Sequence, residues 1–528
     1  HYKYEIKVKG GEVLLKADPY GNSAEYDSEG ASVVADVSAF QWNDGDWMKE
    51  RSRFDDRKQP VSIYETSLEE WKSAEELVEF LAEEDFTHVE LHPVMEYLDD
   101  ITGGYSTYAY YAPTSRFGSV VDFQKLVDEL HQAGIGVILD WVPAHFPRDA
   151  HGLADFDGQP LFEYADPRKG EHPDWGTKVF DYEKHEVSNF LIANALYWIE
   201  QFHIDGLRVD AVASMLYLDY GRKDGEWVPN RYGGNQNLEA IEFFRHLNSI
   251  VAQRGHGAMV IAEESTAWPL VTHDPKEGGL GFTFKWNMGW MHDFLEYMKL
   301  DPYFRKFNHH KMTFGLTYFN SENFILVLSH DEVVHLKCSM INKMPGLFGD
   351  KFANLKAGYT FMLGHPGKKL LFMGQDFGQL HEWDEKVSLD WHLTEEDLHK
   401  DLQNYVRDLL HIYQKHPALY ESDDDWDGFS WINANDGDRS IYSFVRYAKN
   451  HKKSLLFVCN FTPVARPDYR VGVPKRGNYT LILDNEHGAY KTGEKAPVFK
   501  AVKSECDGQP YSVALPLSAY GTAILRFS

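Results

Sequence analysis

The sequence predicts an α/β protein built on a (β/α)8 TIM barrel, with a C-terminal β-sandwich and the remnant of an N-terminal β-sandwich. Eight short apolar runs alternate with stretches of helical periodicity across residues 61–419, which is the pattern of repeated βα units. Beyond residue 419, strand-like runs follow one another without helices, as in an all-β domain. The first 47 residues carry a separate strand pair, so we expect three folded parts of unequal size.

The N-terminal part begins with a predicted β-hairpin. Residues 2–8 and 13–17 have the pattern of strands, and Gly10 and Gly11 lie in the turn between them. A hairpin alone is marginal in water, so we expect it to belong to a β module that ends near residue 47 and begins upstream of His1. The charged stretch 48–60 is predicted as a linker.

The central part, residues 61–419, supplies the predicted barrel. Its candidate strands are residues 61–64, 87–91, 136–141, 206–211, 260–262, 283–286, 324–328 and 369–372. Between them, residues 121–133 and 187–202 repeat apolar side chains at helical spacing, and Gly134 offers a stop for the first of these helices. No glycine-rich phosphate loop follows a strand, which favours the barrel over an open nucleotide-binding sheet.

The C-terminal part, residues 420–528, is predicted as a β-sandwich. Its candidate strands are residues 440–447, 454–461, 479–483, 511–516 and 522–527. Glycine and proline separate them, as expected for short strands joined by turns.

The composition limits the partners of the chain. Its 53 Lys and Arg against 81 Asp and Glu give a net charge of −28, which repels phosphate backbones and anionic membrane surfaces. We therefore expect neither nucleic acid nor membrane as a partner, and a neutral ligand fits better. Aromatic residues make up 15% of the chain and would suit a sugar, although most aromatic side chains simply fill the core.

Cysteine usage and hydropathy indicate a soluble protein of a reducing cytoplasm. Cys338, Cys459 and Cys506 are too few and too scattered for a disulfide framework or a structural zinc site. No apolar run approaches the ~20 residues that span a bilayer, and no secretory signal opens the sequence.

Polar side chains follow four of the predicted barrel strands. These ends read Asp140-Trp-Val-Pro-Ala-His145, Gly206-Leu-Arg-Val-Asp210, Ile261-Ala-Glu-Glu264 and Leu328-Ser-His-Asp-Glu332. A single acid at a strand end is more often a loop cap or an ion-pair partner. Because active sites of such barrels lie at the carboxyl ends of the strands, four strands ending in this way indicate one shared site.

Two carboxylates in these segments are predicted to carry the chemistry. Arg208 and Asp210 are two residues apart on a strand, so both face the barrel axis, and the guanidinium favours the ionised carboxylate of a nucleophile. A structural ion pair is the alternative. Glu263 follows an apolar run, where desolvation would raise its pKa, whereas Glu264 should face the other way. Carboxylates roughly 5 Å apart would form a retaining glycosidase-type site.

A metal site is another interpretation of Asp, Glu and His at strand ends. Such a site requires several converging ligands, typically with close histidine pairs. His145 and His330 are single, and each lies beside residues better suited to hydrogen-bonding sugar hydroxyls. We therefore expect no catalytic metal.

In these residues the chain resembles the α-amylase superfamily of glycoside hydrolases and transglycosylases. The signature segments occur in order as DWVPAH (140–145), GLRVDAVAS (206–214), AEEST (262–266) and LSHDEV (328–333). The resemblance implies that Asp210 is the nucleophile, Glu263 the general acid/base and Asp331 a third carboxylate that binds sugar hydroxyls. The substrate-binding residues that it implies are Tyr105, His145, Arg208 and His330.

Within that superfamily the chain resembles glycogen branching enzymes over most of its length. The supporting stretches are residues 145–176, 194–220, 278–302 and 461–474. The resemblance implies cleavage of an α-1,4 link in an α-glucan such as glycogen or amylose, and transfer of the released chain to a 6-hydroxyl, without a cofactor. Residues 1–47 would be the tail of a carbohydrate-binding β-sandwich. Ala144 stands where calcium-dependent amylases usually carry an asparagine ligand, so no calcium is expected there.

Two other functions stay open, and three loops depart from the family pattern. An α-glucan hydrolase would result if these loops admit water, and a non-catalytic glucan-binding protein would not require three intact carboxylates. Gly103 and Ser106 replace the usual tryptophan and glutamine around Tyr105. Residues 67–71 and 374–377 also differ from the usual motifs. We expect these changes to affect contacts with the donor chain.

Overall fold

The computed structural model describes residues 1–26, 30–98, 103–491 and 493–528. These residues form two compact units by contact: His1–Phe54 with Thr66–Ala82 and His88–Trp286, and Asp55–Glu65 with Glu83–Thr87 and Asn287–Ser528. The structure confirms the predicted class, because parallel strands close into a barrel and an all-β region follows it. Within the described ranges, no helix combines the length and the apolar character needed to cross a membrane.

The described part of the N-terminal segment contains the predicted hairpin and the helix α1. Strands β1 (Tyr4–Lys7) and β2 (Val13–Lys16) pair antiparallel, and the buried Lys16 ammonium donates to the Ala154 carbonyl at 2.7 Å. Helix α1 (Gly45–Arg51) lies where the sequence predicts the start of a linker. The boundaries at residues 47 and 60, and the assignment of residues 1–47 to a carbohydrate-binding sandwich, stay predictions.

The barrel accounts for most strands of the central part. In chain order these strands are β3 (Ser62–Thr66), β4 (His88–Leu91), β5 (Met95–Tyr97), β6 (Thr107–Pro113), β7 (Gly136–Trp141), β8 (His145–Pro147), β9 (Glu171–His172), β10 (Thr177–Val179), β11 (Gly206–Val209), β12 (Met259–Ala262), β13 (Phe284–Trp286), β14 (Phe324–Leu328) and β15 (Lys368–Phe372). Among the described strands, eight close the barrel in the order β3, β4, β7, β11, β12, β13, β14, β15. Their bounds agree with the predicted strands to within two residues.

Helices separate the barrel strands along the chain. They are α2 (Ala74–Glu84), α3 (Val120–Gln132), α4 (Pro167–Gly170), α5 (His185–Gln201), α6 (Val212–Leu216), α7 (Leu238–Arg254), α8 (Met288–Met298), α9 (Pro302–Arg305), α10 (His310–Phe314), α11 (Met340–Lys343), α12 (Phe348–Gly364) and α13 (Asp397–Lys415). The predicted helices at 121–133 and 187–202 correspond to α3 and α5. Helix α3 begins where it does because Ser119 and Asp122 form a capping box, in which each side chain accepts the other's backbone N–H.

Strand register positions the polar residues that end β7, β11 and β12. Arg208 on β11 lies opposite Asp140 on one side and Ile261 on the other, and Val209 lies opposite Trp141 and Ala262. Since the strands are parallel, the residues that follow them emerge at the same edge of the barrel. Asp210 and Glu263 each come directly after one of these paired positions.

The C-terminal part is a β-sandwich, as predicted. Its strands are β16 (Phe429–Asn433), β17 (Ile441–Arg446), β18 (Ser454–Asn460), β19 (Arg466–Val473), β20 (Asn478–Asp484), β21 (Gly488–Ala489), β22 (Val498–Lys500), β23 (Tyr511–Leu517) and β24 (Thr522–Phe527). One sheet runs β16-β17-β18-β24-β20-β21, with β22 added to β20, and β19 pairs with β23 in the other. Apolar side chains of both sheets, such as Leu456, Val471, Val513 and Leu525, form a common buried core.

Candidate active site

Arg208 lies at the centre of the site in the first unit. One guanidinium nitrogen, Nη1, is 2.5 Å from Asp140 Oδ1 and 2.9 Å from Asp210 Oδ1, and the group lies over the Trp286 ring at 4.3 Å. Arg208 is buried; desolvation disfavours its charge, but Asp140, Tyr105 and Asp210 together hold its pKa well above the usual value. The cation therefore stays charged and fixes both carboxylates in place.

Tyr105 binds the carboxylate oxygen of Asp140 that Arg208 leaves open, Oδ2. Its hydroxyl donates to Asp140 Oδ2 and accepts from Arg208 Nη1 at 3.4 Å. Burial, followed by the Asp140 charge, raises the pKa of the phenol well above its usual value, so it stays protonated. The preceding residue, Gly104, has a φ of +92°, which favours glycine. A Cβ at this position would lie only 2.8 Å from the Pro93 carbonyl oxygen.

Glu263 is held beside Asp210 by the backbone of Ala211. The Ala211 N–H donates to Glu263 Oε2 at 2.7 Å, and the Val212 N–H donates to the Glu263 carbonyl at 3.0 Å. Ala211 adopts the left-handed conformation, with φ of 53° and ψ of 41°, which a residue with a Cβ visits only at a cost. In this strained turn Ala211 directly follows Asp210 in the chain, and its N–H binds the carboxylate of Glu263.

Glu264, the next residue, has a different environment. Its side chain is buried, and Oε2 accepts from the Lys285 ammonium at 2.7 Å. The Thr266 N–H donates to Oε1 at 2.9 Å. Of the two adjacent glutamates, Glu263 is therefore the one whose carboxylate binds next to Asp210, at the Ala211 N–H.

His145 belongs to an aromatic cluster in the first unit. Its ring centroid is 5.2 Å from that of Trp175, and Trp175 is in turn 4.5 Å from His172 and 5.9 Å from Tyr220. Burial first, then the charges of Glu263 and Asp210, raise the pKa of Tyr220. The sequence reasoning missed His172, Trp175 and Tyr220. Their only signal was their position in stretches that resemble branching enzymes.

His330 and Asp331 lie in the second unit, after β14. Two groups of His330 bind Glu65: the backbone N–H donates to Oε2 at 3.0 Å, and the ring Nδ1 bonds Oε1. The other ring nitrogen, Nε2, is 3.5 Å from Asp331 Oδ1, and the Asp331 side chain is about half exposed. Glu65, at the end of β3, is a residue that the sequence analysis did not single out, since no polar motif surrounds it.

Ala144, at the position that was compared with a calcium ligand, is buried and carries only a methyl group. Among the described residues of the first unit, no three His, Cys, Asp or Glu side chains bring ligand atoms together around one point.

Comparison with known protein families matches most of the chain. The catalytic domain of α-amylase matches residues 65–166 and 174–466, and the C-terminal all-β domain of α-amylase matches residues 431–528. A pullulanase type I from Bacillus subtilis, solved in complex with maltose, has the same fold, with a TM-score of 0.72 at 17% identity. The matched region covers 98% of this chain and 76% of the pullulanase chain.

Among curated proteins, the similarity extends along the whole chain. The 1,4-alpha-glucan branching enzyme GlgB of Butyrivibrio fibrisolvens is 56% identical over 543 residues, covering 100% of this chain and 85% of that protein. The enzyme of the same name from Gloeobacter violaceus is 51% identical and covers 99% of this chain and 74% of its own length. The chain therefore belongs to the α-amylase family and, within it, to the 1,4-α-glucan branching enzymes.

Proposed function

We propose that this chain forms α-1,6 branches in α-glucans by double displacement, with Asp210 as the nucleophile and Glu263 as the general acid and base. The observation that carries the assignment is the arrangement of these two carboxylates at neighbouring strand ends. Arg208 binds one of them and the Ala211 N–H binds the other. In retaining cleavage, one such carboxylate is attached to the sugar between two steps, while the other acts as acid and then as base.

In the first step, Glu263 donates a proton to the oxygen of an α-1,4 link. The C1–O bond breaks, the Asp210 carboxylate oxygen bonds to C1, and the remaining chain leaves with a free 4-hydroxyl. Arg208 keeps Asp210 ionised and aimed, since its own charge is fixed by Asp140. Developing charge on the sugar is stabilised by the same carboxylates.

In the second step, Glu263 acts as the base. It takes the proton of a 6-hydroxyl on an acceptor glucose, the oxygen of that hydroxyl bonds to C1, and the bond from C1 to Asp210 breaks. Two inversions at C1 retain the anomeric configuration. The product carries a new α-1,6 branch, and the enzyme returns to its starting state without a cofactor.

The substrate-binding residues fit these steps by their protonation and hydrogen-bonding capacity. Burial lowers the pKa of His145 to about 4, so the ring is neutral at pH 7. Its buried Nδ1 has no hydrogen-bond partner among the described residues. Tyr105 offers a ring face, while Glu65 orients His330 and the exposed Asp331 carboxylate is available to hydroxyl groups.

The donor and acceptor in this proposal are α-glucans such as glycogen and amylose. The net charge of −28 suits a neutral polysaccharide rather than nucleic acid. The three cysteines are all free, which fits the reducing cytoplasm where we place the protein.

One assay on amylose tests the function against its alternatives. Branching lowers iodine staining with little rise in reducing ends, and a debranching enzyme then releases short chains. An α-glucan hydrolase would instead raise reducing ends in step with the loss of staining and yield no releasable chains. If no readout changes, the chain is a glucan-binding protein and the proposal is wrong.

A further inference from the structure

We propose that Trp175, His172 and Tyr220 form an acceptor platform, a surface that binds a glucose unit of the acceptor glucan beside Glu263. The inference rests on the proposed branching function and adds residues that control where the cleaved chain goes. By holding a sugar where water would otherwise enter, the acceptor platform raises the ratio of transfer to hydrolysis.

Trp175 is fixed at the tip of a small hairpin. Strands β9 and β10 pair antiparallel, with Thr177 opposite His172, and the Gly176 N–H closes the turn on the His172 carbonyl at 2.8 Å. Gly176 takes the positive φ of 68° that this turn requires. The sheet continues through β10 to β8, where Val179 lies opposite His145, so the hairpin and His145 share one framework.

The Trp175 ring is held by neighbouring rings and remains partly exposed. His172 and His145 lie against it, at centroid distances of 4.5 and 5.2 Å, yet Trp175 remains 42% exposed. A large ring held in place by neighbours but left accessible is suited to stack on the CH-rich face of a sugar, because little conformational freedom remains to be lost on binding.

The two histidines provide neutral polar groups beside this ring. Burial lowers the pKa of His172 to about 3, so it carries no charge at pH 7. His172 Nε2 and His145 Nδ1 are buried and lack a hydrogen-bond partner among the described residues. Buried polar atoms without partners are costly. This combination of ring face and neutral hydrogen-bonding groups matches a carbohydrate.

Tyr220 connects the acceptor platform to the carboxylates. Its ring centroid lies 5.9 Å from that of Trp175, and Glu263 is the charged group that most raises its pKa after burial, ahead of Asp210. Arg222 ties this loop to the hairpin, since it donates to the Glu171 carbonyl at 2.6 Å and to the Tyr220 carbonyl at 3.3 Å.

This position suits the acceptor, which takes the place of the departing half of the donor beside Glu263. Tyr105, one of the implied substrate-binding residues, donates to Asp140 Oδ2, whereas Glu263 is the charged group that most raises the pKa of Tyr220. Glu263 is the group that must take the proton from the attacking 6-hydroxyl. A sugar on Trp175 and Tyr220 would bring such a hydroxyl to the base.

Trp175→Ala and Trp175→Phe test the acceptor platform, with Trp426→Ala as a matched control because Trp426 is similarly exposed, at 48%. The readout is the number of branches formed per α-1,4 link cleaved on amylose, together with the KM for an added acceptor glucan. We expect Trp175→Ala to lower the branch ratio about tenfold and to raise the acceptor KM, with Trp175→Phe intermediate and Trp426→Ala unchanged.

The outcomes separate this inference from the proposed function. If the parent forms branches and Trp175→Ala keeps the same branch ratio and acceptor KM within twofold, the acceptor platform is wrong and the branching function stands. Equal losses of cleavage and transfer in both Trp175 variants, with thermal unfolding unchanged, would also overturn it. A parent that only raises reducing ends would overturn both proposals.

Discussion

Ala211 stands between the two candidate catalytic carboxylates and shows how a single residue can shape the site. Its left-handed backbone, with φ of 53°, costs on the order of 1 kcal/mol or more for a residue with a side chain. In return, its N–H points at Glu263 Oε2 directly after Asp210. No sequence pattern predicts this conformation at an alanine, since left-handed residues are usually glycine or asparagine.

The adjacent glutamates 263 and 264 give a residue-scale prediction. Glu263→Gln should lower kcat on amylose by on the order of 10³-fold or more, because the leaving oxygen loses its proton donor. Glu264→Gln should instead lower stability by roughly 2 kcal/mol, since it weakens a buried pair with Lys285. Steady-state kinetics well below the unfolding temperature, together with thermal unfolding, separate the two effects.

Each variant serves as the control for the other. A large loss of kcat in Glu264→Gln, in protein that is still folded, would contradict the assignment of the acid. So would a Glu263→Gln variant that keeps its activity while losing stability.

At the scale of elements, the loop that carries Tyr105 is set by Gly104. A Cβ there would lie 2.8 Å from the Pro93 carbonyl oxygen, and φ is +92°. Gly104→Ala should therefore displace Tyr105 from Asp140 and lower kcat/KM on amylose at least tenfold, in addition to a stability cost of about 1 kcal/mol.

Gly278→Ala is the matched control for this loop. Gly278 has a φ of +90°, but no atom lies within 4 Å of the position that a Cβ would take. Gly278→Ala should therefore lower stability without lowering kcat/KM. Equal kinetic effects in the two variants would mean that Gly104 does not act through Tyr105.

The elements also show what a sequence pattern can and cannot predict. The barrel strands were predictable because buried parallel strands are short apolar runs between helices. Strand β19 was missed, since Pro467 and Asp468 interrupt its pattern where the pairing with β23 shifts register. The short strands β21 and β22, of two and three residues, are too brief to show any periodicity.

At the scale of the whole molecule, a buried network of charges joins the N-terminal segment to the rest of the first unit. His131 bonds Asp44 through Nδ1 and Asp205 through Nε2, both at 2.8 Å. Arg51 donates to Asp205 at 3.1 Å. Burial opposes the charged imidazole, but Asp205 and Asp44 outweigh it and raise the pKa of His131 to about 9.

This shift predicts a loss of stability at alkaline pH. A pKa raised on folding contributes stability that is complete below the unfolded value of about 6.5 and is lost as pH rises through about 9. The contribution is roughly 3 kcal/mol at most. His131→Gln should lower the unfolding temperature at pH 7, and the gap to the parent should narrow by pH 9.5.

His292→Gln is the control, because the His292 side chain is largely exposed. This substitution should leave the unfolding temperature unchanged at both pH values. A gap between His131→Gln and the parent that stays constant from pH 7 to 9.5 would contradict a His131 pKa of about 9.

Across the molecule, the sequence analysis proposed site residues in recognisable motifs, most of them at strand ends. Asp210, Glu263 and Arg208 were proposed for that reason. Glu65 and Trp175 were not, because each acts through a partner distant in sequence: Glu65 bonds His330, and Trp175 packs on His145. Such contacts appear only once the chain is folded.

The covalent step at Asp210 is the central claim, and trapping tests it most directly. The Glu263→Gln variant is incubated with α-maltotriosyl fluoride, whose leaving group needs no acid, so that the sugar bonds to Asp210 while the second step lacks its base. Tandem mass spectrometry of the digested protein should find one maltotriosyl unit on Asp210, and none in the double variant that also carries Asp210→Asn. Release of fluoride without a sugar on Asp210, or with the sugar on another residue, would contradict the account.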